Sequence, residues 1–161
     1  MKKSLIILAL VGGCGASDRD SANAVQGNVA SATPVEASSS PLAGLYQSGS
    51  DDRPNQLCIL PKAGKDQFAL LVWGSNMKSC SGAGTVTKQG DSLRLQMTGD
   101  SQCTFDAKLE GGKIVMPDTL PSGCSYYCAE GAHLTGATLT RIGGPDAARK
   151  AKDFVGEPLC D

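Results

Sequence analysis

Apolar and polar residues alternate along much of the chain beyond residue 90. Leu93, Leu95 and Met97 are separated by Arg94 and Gln96. Cys103, Phe105, Ala107 and Leu109 alternate with Thr104, Asp106 and Lys108. A period of two is the pattern of a strand with one buried face. Phe68 to Trp73 (FALLVW) is apolar throughout, which predicts a more central strand. Gly111-Gly112 lies between two such runs and predicts a hairpin, and Gly64, Gly90 and Gly99 mark further turns. About eight strands result, near 44–48, 56–61, 67–73, 83–88, 92–97, 102–109, 112–116 and 133–142. Short connections favour a mainly β fold, an antiparallel meander forming a small up-and-down barrel or a curled sheet.

The pattern changes after residue 144. Pro145 suits the first turn of a helix, Asp146 suits its positive end and Gly156 suits its stop. About eleven residues of helix would span about 16 Å, close to a strand length. Ala147, Ala151, Phe154 and Val155 would share one face, with Arg149, Lys150 and Lys152 elsewhere. That face is expected to dock on the sheet.

The opening of the chain has a different grammar. Lys2 and Lys3 precede a short apolar run, Leu5 to Val11. A membrane span needs roughly 20 apolar residues, so this run fits a signal peptide over residues 1–13 instead. Residues 15–41 are dominated by Ser, Ala, Gly, Asn and Pro, with no aromatic residue, Leu or Ile. Such a composition buries too little surface to offset ordering entropy, so residues 14–41 are read as a tether. The β domain is expected over 42–161.

Seven cysteines in 161 residues behind an export signal predict a disulfide framework. Setting Cys14 aside leaves Cys58, Cys80, Cys103, Cys124, Cys128 and Cys160. Following the meander from turn to turn gathers all six at one pole. Cys80–Cys103 is the preferred bridge. The other four could pair in several ways, with Cys128–Cys160 the favoured choice. Zinc at Cys124-x-x-x-Cys128 is the rival reading, which an oxidising compartment disfavours.

Charge and chemistry narrow the function classes. The formal net charge is -1, which offers no basic footprint for nucleic acid. The only histidine is His133, and no nucleophile-elbow motif accompanies it. Asp51-Asp52 lie in a Gly/Ser/Pro-rich turn, where Asp serves local hydrogen bonding. Ser79 to Gly84 (SCSGAG) lacks the Lys-Ser/Thr of a phosphate loop. No enzyme, metal or cofactor is expected. Trp73, Tyr126 and Tyr127 fall at the cysteine pole as a possible binding face, with Asn76 and Lys78 nearby. The plain alternative is that these rings only cap the disulfides.

Val11-Gly12-Gly13-Cys14 resembles the lipobox of bacterial lipoproteins: an apolar residue, two small residues, then cysteine. The resemblance implies a diacylglyceryl group on the Cys14 thiol, cleavage before Cys14 and acylation of the freed amine. Two or three acyl chains give stable anchoring where one gives only marginal binding. Gly15, where retained lipoproteins carry Asp, implies the outer membrane, with the domain in the periplasm or at the cell surface. The segments Val72-Trp73-Gly74, Cys80-Ser81-Gly82, Gly123 to Cys128 and Pro158-Leu159-Cys160 are similar to small bacterial lipoproteins that carry no assigned activity. Ser81 to Gly84 followed by Lys88-Gln89-Gly90 resembles lipid-anchored lysozyme inhibitors, from which no functional residue is carried over. The expected function is a non-enzymatic module binding an envelope protein or glycan. The alternative is an inhibitor of a cell-wall hydrolase or protease, and a hydrolytic enzyme comes third.

Overall fold

The computed structural model describes residues 40–160. Cys14 and the segment read as signal peptide and tether lie outside the described residues, apart from Ser40 and Pro41. Eight antiparallel strands close into a barrel, each paired with its neighbours in sequence and the last with the first. They are β1 (Gly44–Ser50), β2 (Arg53–Lys62), β3 (Lys65–Trp73), β4 (Ser79–Gln89), β5 (Ser92–Met97), β6 (Thr104–Glu110), β7 (Lys113–Val115) and β8 (Thr138–Gly143). The expected meander is therefore present in its closed form. Closure leaves no unpaired sheet edge.

Alternation sorts the side chains. Leu57 and Ile59 of β2, Phe68, Leu70 and Val72 of β3, and Leu93, Leu95 and Met97 of β5 form one buried core inside the barrel. Eight strands enclose a space just wide enough for such side chains to fill it. Both ends are plugged. Leu42 joins the core at one end, and the Tyr46 hydroxyl donates to its carbonyl at 3.0 Å. Burial raises the Tyr46 phenol above its ordinary pKa, opposed by nearby Arg141. Met116, Ala132, Leu134 and Tyr127 close the other end.

The outward residues of β2 and β3 are also buried, as Leu60, Cys58, Ala69 and Leu71 show. The reason lies in the C-terminus. Helix α1 (Pro145–Lys150) packs on β1 and β2, and the following residues run as a strap over the barrel wall. This double coverage explains the uninterrupted apolar run in β3.

The helix is shorter than expected, six residues rather than about eleven. Ala147 is half-buried and Ala148 and Ala151 are buried, whereas Phe154 and Val155 are exposed. The backbone leaves the helix at Ala151, where ψ is 138°. Asp153 then organises a turn: its carboxylate accepts from the N–H groups of Val155 and Glu157, both at 2.9 Å. Asp side chains compete with helix in this way. The Gln56 amide holds the strap by donating to the Lys152 carbonyl at 2.9 Å.

Three bridges form: Cys58–Cys160, Cys80–Cys128 and Cys103–Cys124. All six expected cysteines are used, but the two expected pairings are wrong. Cys80 belongs to β4 and Cys103 immediately precedes β6, with β5 between them. Two strand spacings are about 10 Å. A disulfide spans Cα atoms no more than about 7 Å apart. Cys128–Cys160 fails for another reason. Cys58 points outward from mid-strand, and the strap delivers Cys160 to it on the barrel wall. Four cysteines, not six, therefore share one pole.

Candidate functional site: the stapled cap

One connection breaks the rule of short turns. Residues 116–137 join β7 to β8 across the end of the barrel. Connections this long without regular structure are commonly functional. A 3-10 turn at Ser122–Tyr127 forms its centre. Cys124 inside that turn is bridged to Cys103, and Cys128 just after it to Cys80. One short turn is thus fastened to two separate strand ends. Both thiols are consumed, each by a different partner, which removes Cys124-x-x-x-Cys128 as a metal pair. Among the described residues no group of three metal-ligating side chains occurs.

Hydrogen bonds complete the attachment. The Tyr127 hydroxyl donates to the Thr98 carbonyl at 2.9 Å. The Ala129 N–H donates to the Ser79 carbonyl at 3.0 Å, and the Met116 N–H to the Ala137 carbonyl at 2.8 Å. Ala132 and Leu134 point into the core, while His133 between them faces solvent. The expected strand at 133–142 begins only at Thr138, because residues 132–134 serve as the plug.

The β3–β4 loop abuts this cap. A side chain at Gly74 would meet the Ala132 backbone at 2.6 Å, so the two loops touch where only glycine fits. The Ser75 hydroxyl donates to the Gly131 carbonyl at 3.3 Å. Asn76 and Met77 both hold positive φ, 53° and 62°. Left-handed backbone at two successive non-glycine residues costs about 1 kcal/mol or more at each. Met77 is nevertheless 71% exposed. Strain that displays an apolar side chain was not visible from composition.

A groove of about 400 Å³ opens along the cap. Leu120, Cys124, Cys128 and Leu134 give it an apolar lining, and Ser122, Ser125, Glu130 and His133 supply polar atoms. No hydrogen bond joins His133 to a hydroxyl, thiol or carboxylate among the described residues. The three aromatic candidates separate into distinct roles. Tyr127 lies over Gly82 and Met97 as part of the plug. Tyr126 meets it edge-on, with ring centroids 5.5 Å apart, and is 84% exposed. Trp73 ends β3 half-buried, its backbone N–H donating to Asn55 Oδ1 at 2.8 Å. Tyr126 and the cap groove are thus the freely presented elements, with Trp73 at the same end of the barrel.

Comparison with protein-family models, curated proteins and solved structures finds no match to this chain.

Proposed function

We propose that the chain is a lipid-anchored protein of the bacterial envelope, acylated at Cys14, whose barrel is a non-enzymatic binding module. Its partner is an envelope protein or glycan received at the cap. The cap groove carries this reading. An apolar recess with polar atoms along it is the usual form of a ligand site. Two disulfides hold it, so little ordering entropy is lost on binding. Three disulfides also fit an oxidising compartment outside the cytoplasm.

The anchor has its own test. Intact mass of the processed protein should match residues 14–161 plus glycerol and two or three acyl chains. A processed protein whose mass carries no glycerol or acyl group would refute acylation at that thiol.

Affinity capture from envelope extract provides the partner, and Tyr126→Ala then tests the site. Tyr126 is exposed enough that its loss leaves thermal stability within about 0.5 kcal/mol. An aromatic hot spot lost from an interface costs about 2 kcal/mol, roughly thirtyfold in affinity. Unchanged affinity in Tyr126→Ala and His133→Ala would move the partner away from the cap. Tyr127→Ala is a poorer probe, since its ring also plugs the barrel.

The Asp153–Glu157 turn favours the second reading, inhibition of a cell-wall hydrolase or protease. Phe154 and Val155 are 64% and 65% exposed at its tip. The Asp153 carboxylate, the Lys152–Pro158 bridge and the Cys58–Cys160 disulfide pin its base. A rigid convex apolar tip suits an enzyme cleft. Capture of a hydrolase whose binding depends on Phe154 rather than Tyr126 would select this reading.

A further inference from the structure

We propose that the barrel end opposite the cap is a docking face for an anionic phospholipid surface. Formal charges over residues 40–160 cancel, yet they are not evenly spread. The hairpin end carries Lys62, Lys65, Lys88, Lys108, Lys113 and Arg141 against Asp66, Asp91 and Glu110. The cap end carries Asp51, Asp52, Asp100, Asp118 and Glu130 against Arg53 and Lys78. The remaining charges, on the wall and the strap, balance. The domain is therefore neutral overall and dipolar along its barrel axis.

The five lysines are all exposed. None lies within ion-pair distance of a carboxylate among the described residues, where the pairs are Arg94–Asp106 and Arg149–Asp146. Their charge is free to meet a partner. Of the opposing acids, Asp66 already accepts a hydrogen bond from Ser40 at 2.5 Å.

Two observations select a membrane as that partner. The first is charge complementarity. Basic groups near an anionic leaflet are each attracted, and the attraction decays within a Debye length of about 8 Å. β3 has nine residues, which at about 3.3 Å each and a tilt of about 40° give about 20 Å of barrel height. The acidic cap thus stands beyond the reach of the surface field when the hairpin end touches it.

The second is where the chain enters. The Arg141 guanidinium donates to the carbonyls of Pro41 and Ala43, at 3.4 and 2.7 Å. Ser40 sits beside Asp66 at the start of β3. Everything N-terminal to the barrel, the proposed lipid site included, therefore joins it at the basic end. An anchor delivers that end to the bilayer, and the docked barrel holds the cap groove outward. This orientation rests on the anchored reading, but the docking face does not.

The test uses residues 36–161, a compact unit. Among the described residues it contains every strand pairing, both plugs and all three bridges, the contacts that hold the barrel closed. Vesicles containing phosphatidylglycerol should bind it at low ionic strength, and phosphatidylcholine vesicles should not. Added salt should release it. Joint Lys62→Glu, Lys65→Glu, Lys88→Glu and Lys113→Glu replacement, all at exposed positions, should lower partitioning at least tenfold. Lys78→Glu at the cap should leave it unchanged. Equal binding to neutral vesicles, salt-insensitive binding, or a fourfold variant that partitions like the parent would each overturn the proposal. Capture of an acidic protein by this face with no vesicle binding would do the same. Acylation of Cys14 is read separately by mass, so failure of the anchor and failure of the docking face are distinguishable.

Discussion

Replacing Cys58 and Cys160 together by alanine will lower the stability of the barrel by about 4–5 kcal/mol. The bridge closes a loop of 102 residues in sequence separation, the longest of the three. In the chain-entropy account a cross-link over about 100 residues removes about 4.7 kcal/mol of disorder from the unfolded state. The pair Cys103–Cys124, separated by 21 residues, should contribute roughly 3 kcal/mol by the same argument. The ranking is therefore testable as well as the size. A midpoint of thermal unfolding about 15–20 °C below the parent is expected for the first pair. The local effect is distinct. Without Cys160 pinned to the wall, the strap keeps the Gln56–Lys152 hydrogen bond and the packing of Ala151 and Leu159 on the wall, while the Leu159 N–H to Ala151 carbonyl bond is internal to it. Trypsin should then cut at Lys150 and Lys152 in the folded protein, where the parent resists. An unchanged midpoint with unchanged proteolysis would show that the bridge is dispensable.

The barrel was legible because its strands keep strict alternation and its turns use glycine. Leu93-Arg94-Leu95-Gln96-Met97 alternates inward and outward as written. Gly64, Gly90, Gly111 and Gly112 all take positive φ at the hairpin turns. The C-terminus was misread because local and tertiary signals diverge there. Ala147 to Val155 has a helical period, but the Asp153 carboxylate caps backbone N–H groups that a helix would have used. Disulfide pairing was misread because turn counting gives height along the barrel and not position around it. Cys80 and Cys103 lie towards the same end of the barrel, yet a whole strand stands between them.

The cap was only partly legible. Two cysteines and two tyrosines in Cys124 to Cys128 announced a rigid, aromatic loop. The groove needed more: residues 129–135 had to leave the strand pattern and return through Ala132 and Leu134. His133 looked like a strand position because its neighbours are apolar. They are apolar because they plug the barrel, and that sends His133 outward. The three aromatic rings could not be sorted by sequence either. Tyr126 and Tyr127 are adjacent, and only the barrel end beneath them decides which is buried.

Gly84→Ala will destabilise the barrel by about 3 kcal/mol or more, although it adds a single methyl group. Gly84 is buried in β4 and pairs with Met97 of β5. A Cβ there would collide with the Gln96 carbonyl oxygen and stand 2.9 Å from the Phe68 ring. Neither neighbour can yield cheaply. Gln96 belongs to the strand ladder, and Phe68 is 1% exposed inside the core. Relief therefore requires opening the β4–β5 pairing or moving a fully buried core ring. Gly82, two residues earlier, provides the control. Its added Cβ would strike the end of Met97 and lie 2.9 Å from the Tyr127 ring. Methionine is adaptable, and Tyr127 sits on the cap rather than in the ladder. Gly82→Ala should thus cost about 1 kcal/mol and act chiefly by tilting Tyr127, weakening its bond to Thr98. Denaturation midpoints measure the first effect. Amide exchange of the cap relative to β5 measures the second. Equal destabilisation by both substitutions would mean that the β4 glycines serve flexibility rather than clearance.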